Sequence, residues 1–261
     1  MQKRHTDRYV YFKELAQSCR LYFIPYLEKE HRIEPGMRVL EIGCGDGGNL
    51  LPFAEMGCET LGIDLSEGRV EDAKAFFERE GVAGQFLSAD FCKLDIYSYA
   101  YDIILCHDVL EHIADKEAFL QRMCRSLKPD GIVFMAFPAW QMPFGGHQQI
   151  CRSGFLSKLP FMHLLPAGCY SGILKLFNEP EDVRAELLDI KKTGVSVESF
   201  ERLIERMHLT IVNRQLWFVN PHYQTKFGLK PRKLCRLFSG LPYLRNFMTT
   251  SCFYLLRKAN G

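Results

Sequence analysis

The sequence predicts an α/β protein built on a doubly wound, mainly parallel sheet, and three features predict it. Short apolar runs alternate with stretches of helical length between residues 37 and 137, the pattern of parallel strands joined by helical crossovers. The first run, Val39-Leu40-Glu41-Ile42, leads into Gly43-Cys44-Gly45-Asp46-Gly47-Gly48, four glycines in six residues. The second run ends on Asp64, at the sheet edge where ligands of such folds bind.

The elements follow in order. Val10, Phe12, Leu15, Cys19, Tyr22, Phe23, Tyr26 and Leu27 are spaced as one or two helices interrupted at Pro25. Residues 1–35 thus form an N-terminal helical segment closed by Pro35-Gly36. A strand spans 37–42, and a helix is expected over 46–56, ended by Gly57. Cys58 to Ile63 is a strand, Ser66 caps a helix to Glu80, and Gln85 to Ser88 is a short strand. Tyr101 to Cys106 is a strand, Asp115 to Leu127 a helix, and Ile132 to Phe137 a strand after Lys128-Pro129-Asp130-Gly131.

The alternation breaks over 138–194, where short helices are expected near 153–158 and 170–177. It resumes with a helix from Glu198 to Met207 and a strand from Thr210 to Val219. A second insertion, 220–249, precedes a last strand from Thr250 to Arg257. The core is therefore 36–137 with 195–219 and 250–261, and the two insertions, 138–194 and 220–249, form an α-helical cap over the substrate.

With 47% hydrophobic and 25% charged residues, 261 residues can bury a sizeable core. No apolar run reaches membrane-spanning length, and residues 1–30 lack a signal-peptide layout, so a cytoplasmic chain is expected. The ten cysteines are scattered, without CxxC pairs or zinc spacing. They read as reduced, mostly buried thiols, and no metal is expected. The net charge of +2 hides an asymmetry: residues 206–261 contain no acid against ten Lys and Arg, and residues 131–178 contain none either. Such segments suit an anionic partner, either a carboxylated or phosphorylated substrate or an anionic membrane surface.

The glycines allow positive φ and close approach of backbone to a ligand. A helix starting near Asp46 would add free N–H groups facing an anion. Gly43, Gly45 and Gly48, with Asp64 further on, fit the GxGxxG of dinucleotide-binding domains. Glu41, Gly43, Gly45 and Gly47 fit a second template, E-x-G-x-G-x-G, and here the chain resembles the class I S-adenosylmethionine (SAM) dependent methyltransferases. Gly62-Ile63-Asp64-Leu65-Ser66 and Ser88-Ala89-Asp90-Phe91 resemble that family's next two motifs. The stretch from Tyr101 to Ile113, which includes His107-Asp108-Val109-Leu110-Glu111-His112, is similar to the ubiquinone/menaquinone-type, methyltransferase type 11-like members, as is Leu127 to Gly131.

The resemblance implies a Rossmann-like sheet of seven strands with the last antiparallel, and SAM as methyl donor with S-adenosylhomocysteine as product. It implies that Glu41 lies under the methionine moiety, beside the Gly43, Cys44, Gly45 and Gly47 backbone. Asp64 with Leu65 would hold the ribose, Asp90 with Phe91 the adenine, and His107 would line the same cleft.

In-line displacement mostly needs alignment and exclusion of water, although a hydroxyl acceptor also needs a base. His147, flanked by Gly145 and Gly146 after the fifth strand, and His112, beside Glu111, are the candidate catalytic residues. Gln148, His222 and Tyr223 are candidate substrate contacts. Asn-Pro-Pro-Tyr is absent after the fourth strand, so a small-molecule acceptor is expected and a nucleic acid is not. The apolar insertions suit a small apolar or amphipathic acceptor, anionic forms included, and their basic aromatic character suits peripheral membrane association. Two other readings stay open: an NAD(P)-dependent oxidoreductase on the same glycine turn, and a non-catalytic binding module.

Overall fold

The structure, a computed structural model, describes residues 7–94 and 100–259. The expected segment ends at 1–6 and 260–261 lie outside the described residues. α1 (Arg8–Ser18) runs through a π turn, Cys19–Phe23, into α2 (Ile24–Leu27). Then come β1 (Arg38–Ile42), α3 (Leu51–Glu55), β2 (Glu59–Asp64), α4 (Glu67–Glu80) and β3 (Gln85–Ser88). β4 (Tyr101–His107), α5 (Lys116–Ser126) and β5 (Leu127–Phe137) complete the first half. The first insertion carries α6 (Ala167–Leu176) and α7 (Glu181–Thr193), followed by α8 (Val197–Arg206) and β6 (Leu209–Val219). The second carries α9 (His222–Phe227), β7 (Arg232–Lys233), α10 (Arg236–Ser239) and α11 (Leu244–Phe247), before β8 (Ser251–Lys258).

The strand order is β3-β2-β1-β4-β5-β8-β6-β7. β1 to β5 pair in parallel, and β8 runs antiparallel to both β5 and β6. The sheet has eight strands where seven are expected. The addition is the two-residue β7, too short to leave a sequence signature, which pairs with Trp217 and Val219 of β6.

Alternation along the strands divides the core. Leu40, Ile42, Ile104, Cys106, Val133 and Met135 enter one apolar layer, together with α5 and α8. Val39, Ile103, Leu105, Ile132, Phe134 and Ala136 enter the other, under α1 to α4. Covering on both faces explains why these strands read as continuous apolar runs.

Local chemistry sets the helix ends. Asp7, Ser66 and Asp115 each accept an N–H of the first turn of α1, α4 and α5, and Ser196 with Ser199 forms a capping box on α8. Pro25 does not break the N-terminal helix. The π turn shifts the ladder so that the Ile24 N–H donates to the Cys19 carbonyl, and Pro25 falls in the first turn of α2, where its missing N–H costs little.

Three expectations need correction. The helix after the glycine turn starts at Leu51 rather than near Asp46, because residues 43–50 form successive turns closed by Gly47 N–H to Cys44 O and Leu50 N–H to Gly47 O. It is only five residues long and begins three residues past Gly48. The first insertion also contains α7, a 13-residue helix that Pro180 starts and that sequence reading passes over. Finally, the strand expected at Ile132 begins at Leu127, since Tyr101 already pairs with Leu127.

α1 lies directly on the glycine turn. A Cβ on Gly48 would stand 2.6 Å from the Phe12 carbonyl oxygen and 2.7 Å from Leu15 Cβ. Gly48→Ala is therefore expected to destabilise the chain by about 1–3 kcal/mol through overpacking. The check is the urea midpoint, and an unchanged midpoint would show that α1 is not seated there.

Candidate functional site

The site is built at the carboxyl edge of β1, β2, β3, β4 and β5. The Gly43 and Cys44 N–H groups donate to the Ile63 carbonyl at 2.7 and 3.1 Å, which pins the glycine turn to the end of β2. Gly43, Gly45 and Gly47 hold φ of +73°, +52° and +80°. At Gly43 the space is also closed, since a Cβ would lie 2.2 Å from Val109 Cγ2. The loop after β4 therefore leans on the turn after β1.

Glu41 is 1% exposed and points under this turn. Its Oε1 accepts from Asn49 Nδ2 at 2.8 Å, while Oε2 has no partner. Burial raises its pKa to about 8, opposed by the Asn49 hydrogen bond and helped by the charge of Asp64. A buried carboxyl with one unpartnered oxygen is costly unless a cation or donor meets it.

Asp64 stands across the turn. Its Oδ2 accepts from Gly45 N–H and its Oδ1 from Ser66 N–H, both at 2.9 Å. Each oxygen keeps a lone pair for a further donor. The next residue, Leu65, is 76% exposed, an apolar surface beside a charged one. Asp90 lies beyond β3, where the Cys92 N–H and then the Lys93 side chain hold its pKa below the usual value. Phe91 turns inward and packs edge-on against Phe119 at 5.5 Å, so its side chain belongs to the core. Cys44 is likewise buried, with its thiol pKa pushed up by burial.

His107 ends β4 with its ring 5.0 Å from Phe23 of the π turn. Asp108 follows at φ +54°, and its charge acts on Tyr11, Glu111, His112, His147 and Tyr223. These groups come from α1, the loop after β4 and both insertions, and all lie within reach of this one charge. Neither Asp108 nor Tyr11 was singled out from sequence. Asp108 lay inside a recognised motif, whereas nothing local marks Tyr11. Burial and then Asp108 raise the Tyr11 pKa to about 12. Arg8, from the same helix, closes over the turn with a 2.5 Å ion pair to the buried Asp46.

The structure brings His112 and His147 together, with ring centroids 5.0 Å apart. Burial lowers the pKa of each, and His112 lowers that of His147 further. Glu111 is 2% exposed with both carboxylate oxygens unpartnered, and burial then Asp108 raise its pKa well above the usual value. Glu111, His112 and His147 offer ligand atoms all within 4.8 Å of one another, so these three could hold a divalent cation, where the sequence reading expects no metal.

The glycines beside His147 do not open the loop to a ligand. A Cβ on Gly145 would lie 2.3 Å from the Trp140 carbonyl oxygen, and one on Gly146 would lie 2.1 Å from His163 Cβ. They let the loop pack on the protein, which leaves His147 at φ +56° turned toward His112. Gln148 is fully buried, and its Nε2 donates to the Pro143 and Leu159 carbonyls, which holds the loop's shape. His222 faces α1, where Ser18 Oγ lies 3.0 Å from its Nδ1 and the Tyr11 ring stands edge-on at 5.8 Å. Tyr223 is half-buried near Asp108.

A family model described as a methyltransferase domain matches residues 40–135. The ubiquinone biosynthesis O-methyltransferase of Bartonella bacilliformis is 28% identical over 158 residues, covering 59% of this chain and 58% of that protein. The protein of the same name from Rhizobium etli is 34% identical over 108 residues, 41% of this chain and 44% of that one. The chain thus spans about half the length of these curated relatives. Geranyl diphosphate C-methyltransferase from Streptomyces coelicolor has a similar fold, with a TM-score of 0.58 at 12% identity over 92% of this chain and 79% of that one.

Proposed function

Because this chain belongs to the class I SAM-dependent methyltransferases, we propose that it methylates a small apolar or amphipathic acceptor, most directly at a hydroxyl oxygen. The observation that carries the reading is the unpartnered Oε2 of buried Glu41, under a glycine turn tied to Asp64. That oxygen suits the amino group of the donor's methionine end. Asp64 suits the ribose hydroxyls and Asp90 the adenine amino group, with the exposed face of Leu65 beside the base. Bound SAM supplies a methyl group already activated on a sulfonium.

The chain's share is then placement. α1 covers the turn through Phe12 and Arg8 and excludes water from the donor. Asp108, Tyr11, His112, His147 and Tyr223 surround the side from which an acceptor would enter. A hydroxyl acceptor must lose its proton as the new C–O bond forms, and the neutral imidazole of His147 takes it. Burial lowers its pKa from the ordinary imidazole value, so it is neutral at pH 7.

His147→Ala is expected to cut turnover by about 10²–10⁴-fold while leaving S-adenosylhomocysteine affinity within a factor of ~2, since His147 touches no residue assigned to the donor. Incubating cell extract with methyl-labelled SAM and this chain should place label in an organic-extractable product, and His147→Ala should abolish it. Undiminished labelling by the variant would remove His147 from the chemistry.

A second reading of the same cluster rests on Glu111, whose buried carboxylate lacks partners. There a divalent cation on Glu111, His112 and His147 would lower the acceptor's pKa in place of a free base. The two readings separate on chelation. Activity that survives exhaustive EDTA treatment supports the imidazole, and activity lost and then restored by added Mg²⁺ or Zn²⁺ supports the cation.

A further inference from the structure

We propose that residues 227–247 of the second insertion form a docking surface for an anionic lipid bilayer, through which a lipid-soluble acceptor reaches the site. The access clause rests on the acceptor class proposed above; the docking does not. In this stretch Phe227, Leu229, Leu237, Tyr243, Leu244 and Phe247 are 49, 51, 71, 65, 45 and 41% exposed. That is a dense apolar surface for 21 residues at the rim of a folded core.

Lys230, Arg232, Lys233 and Arg236 are exposed among them, and no acid occurs between residues 206 and 261. Apolar side chains interleaved with cations are the chemistry of an interfacial segment: the apolar groups enter the acyl boundary and the cations meet anionic headgroups. A nucleic acid would satisfy the four cations and leave Leu237 and Tyr243 in water. In the first insertion the acid-free part also exposes Phe155, Leu176 and Phe177, but it is followed directly by α7, which would present Glu181, Asp182, Glu186 and Asp189, all exposed, to an anionic surface. The insertion's apolar residues also form a small core of their own around Leu156, Met162, Tyr170 and Leu174.

The placement connects this surface to the site. β6 is antiparallel to β8, which is antiparallel to β5, so β6 points the same way as β5. Residues 220–250 therefore leave the sheet at the edge that carries the glycine turn. Phe247 meets the Phe161 ring at 6.2 Å. The Phe161 N–H in turn donates at 2.7 Å to the Pro143 carbonyl, which also takes the amide of Gln148, next to His147.

The test is sedimentation of the whole chain with phosphatidylcholine vesicles and with mixed phosphatidylcholine/phosphatidylglycerol vesicles, at low and high salt, alongside S-adenosylhomocysteine titrations. Pelleting is expected with the mixed vesicles and should weaken at high salt. Arg232→Gln with Lys233→Gln should weaken it by about thirtyfold at low salt, at roughly fivefold per cation. Leu237→Ser should weaken it at both salt levels by about tenfold. All three residues are exposed, so each variant should still bind S-adenosylhomocysteine.

Absence of pelleting with mixed vesicles, or variants that pellet like the wild type, would overturn the docking. So would retention on DNA or RNA lost in the arginine–lysine variant but kept in Leu237→Ser, which would assign the cations to nucleic acid. Dimerisation abolished by Leu237→Ser, without vesicle binding, would assign the surface to a second copy. Failed pelleting with intact S-adenosylhomocysteine binding sinks the docking alone, whereas failed S-adenosylhomocysteine binding sinks the methyltransferase reading.

Discussion

Asp64→Ala is expected to weaken S-adenosylhomocysteine binding by about ten- to a hundredfold, or ~1.5–3 kcal/mol, the cost of leaving the buried Gly45 N–H and the ligand's hydroxyl donors unpaired. The carboxylate does two things in one place. It holds the Gly45 and Ser66 N–H groups at 2.9 Å, and it presents its remaining lone pairs to the cleft. Alanine removes one of the three ties between the glycine turn and β2, leaving the two to the Ile63 carbonyl, and with it the acceptor of the ribose hydroxyls. Asp64→Asn keeps one backbone contact and should fall between wild type and alanine. Isothermal titration checks the series, and an unaltered dissociation constant in Asp64→Ala would remove this residue from the donor site.

The second large effect is a pH dependence centred on Glu41. Burial raises its pKa to about 8 in the free chain, so the carboxyl is protonated at pH 7. A cationic amino group against it favours the carboxylate, and binding must then release a proton. S-adenosylhomocysteine affinity should therefore rise with pH, by up to about tenfold per unit, and level off near pH 8. Heats measured at pH 7 should depend on the ionisation enthalpy of the buffer.

Stability runs the other way. The folded pKa lies above the unfolded one, so the folded chain binds the extra proton. The contribution is fully present below the unfolded carboxylate pKa and is lost as pH rises through about 8. Thermal midpoints of the free chain should fall between pH 6 and 9, with Glu111, raised in the same direction, adding to the fall. Glu41→Gln should flatten both the affinity profile and part of the stability profile. Identical profiles in wild type and Glu41→Gln would show that this carboxyl does not titrate on binding.

How far the sequence reaches depends on the range of the forces involved. β1, β2 and β4 are legible because strands covered on both faces must be apolar throughout, and Gly43, Gly45 and Gly47 because only glycine takes those φ values cheaply. The relation of Asp64 to the turn is legible too, since it follows from strand order. The length of α3 is not. Its start is set by turns at residues 43–50 that pack beneath Phe12 and Leu15, residues of another helix. The glycines beside His147 mislead for the same reason, since what they accommodate is Trp140 and His163 rather than a ligand. His222 stands after β6, where a substrate contact is plausible from topology alone. The packing of α9 on α1 carries it to Ser18 instead. Tyr11 reaches the site because α1 packs on the glycine turn at Gly48 and on α9, where its ring meets His222. Each miss is a tertiary contact between segments with no local signature.

The most direct test is a paired calorimetric titration of the purified chain with S-adenosylhomocysteine and with NAD(H) at pH 7. S-adenosylhomocysteine is expected to bind at one site with net proton release, and NAD(H) to give no saturable heat. Saturable NAD(H) binding with no response to S-adenosylhomocysteine would contradict the assignment of the glycine turn, Glu41 and Asp64 to a methyl donor.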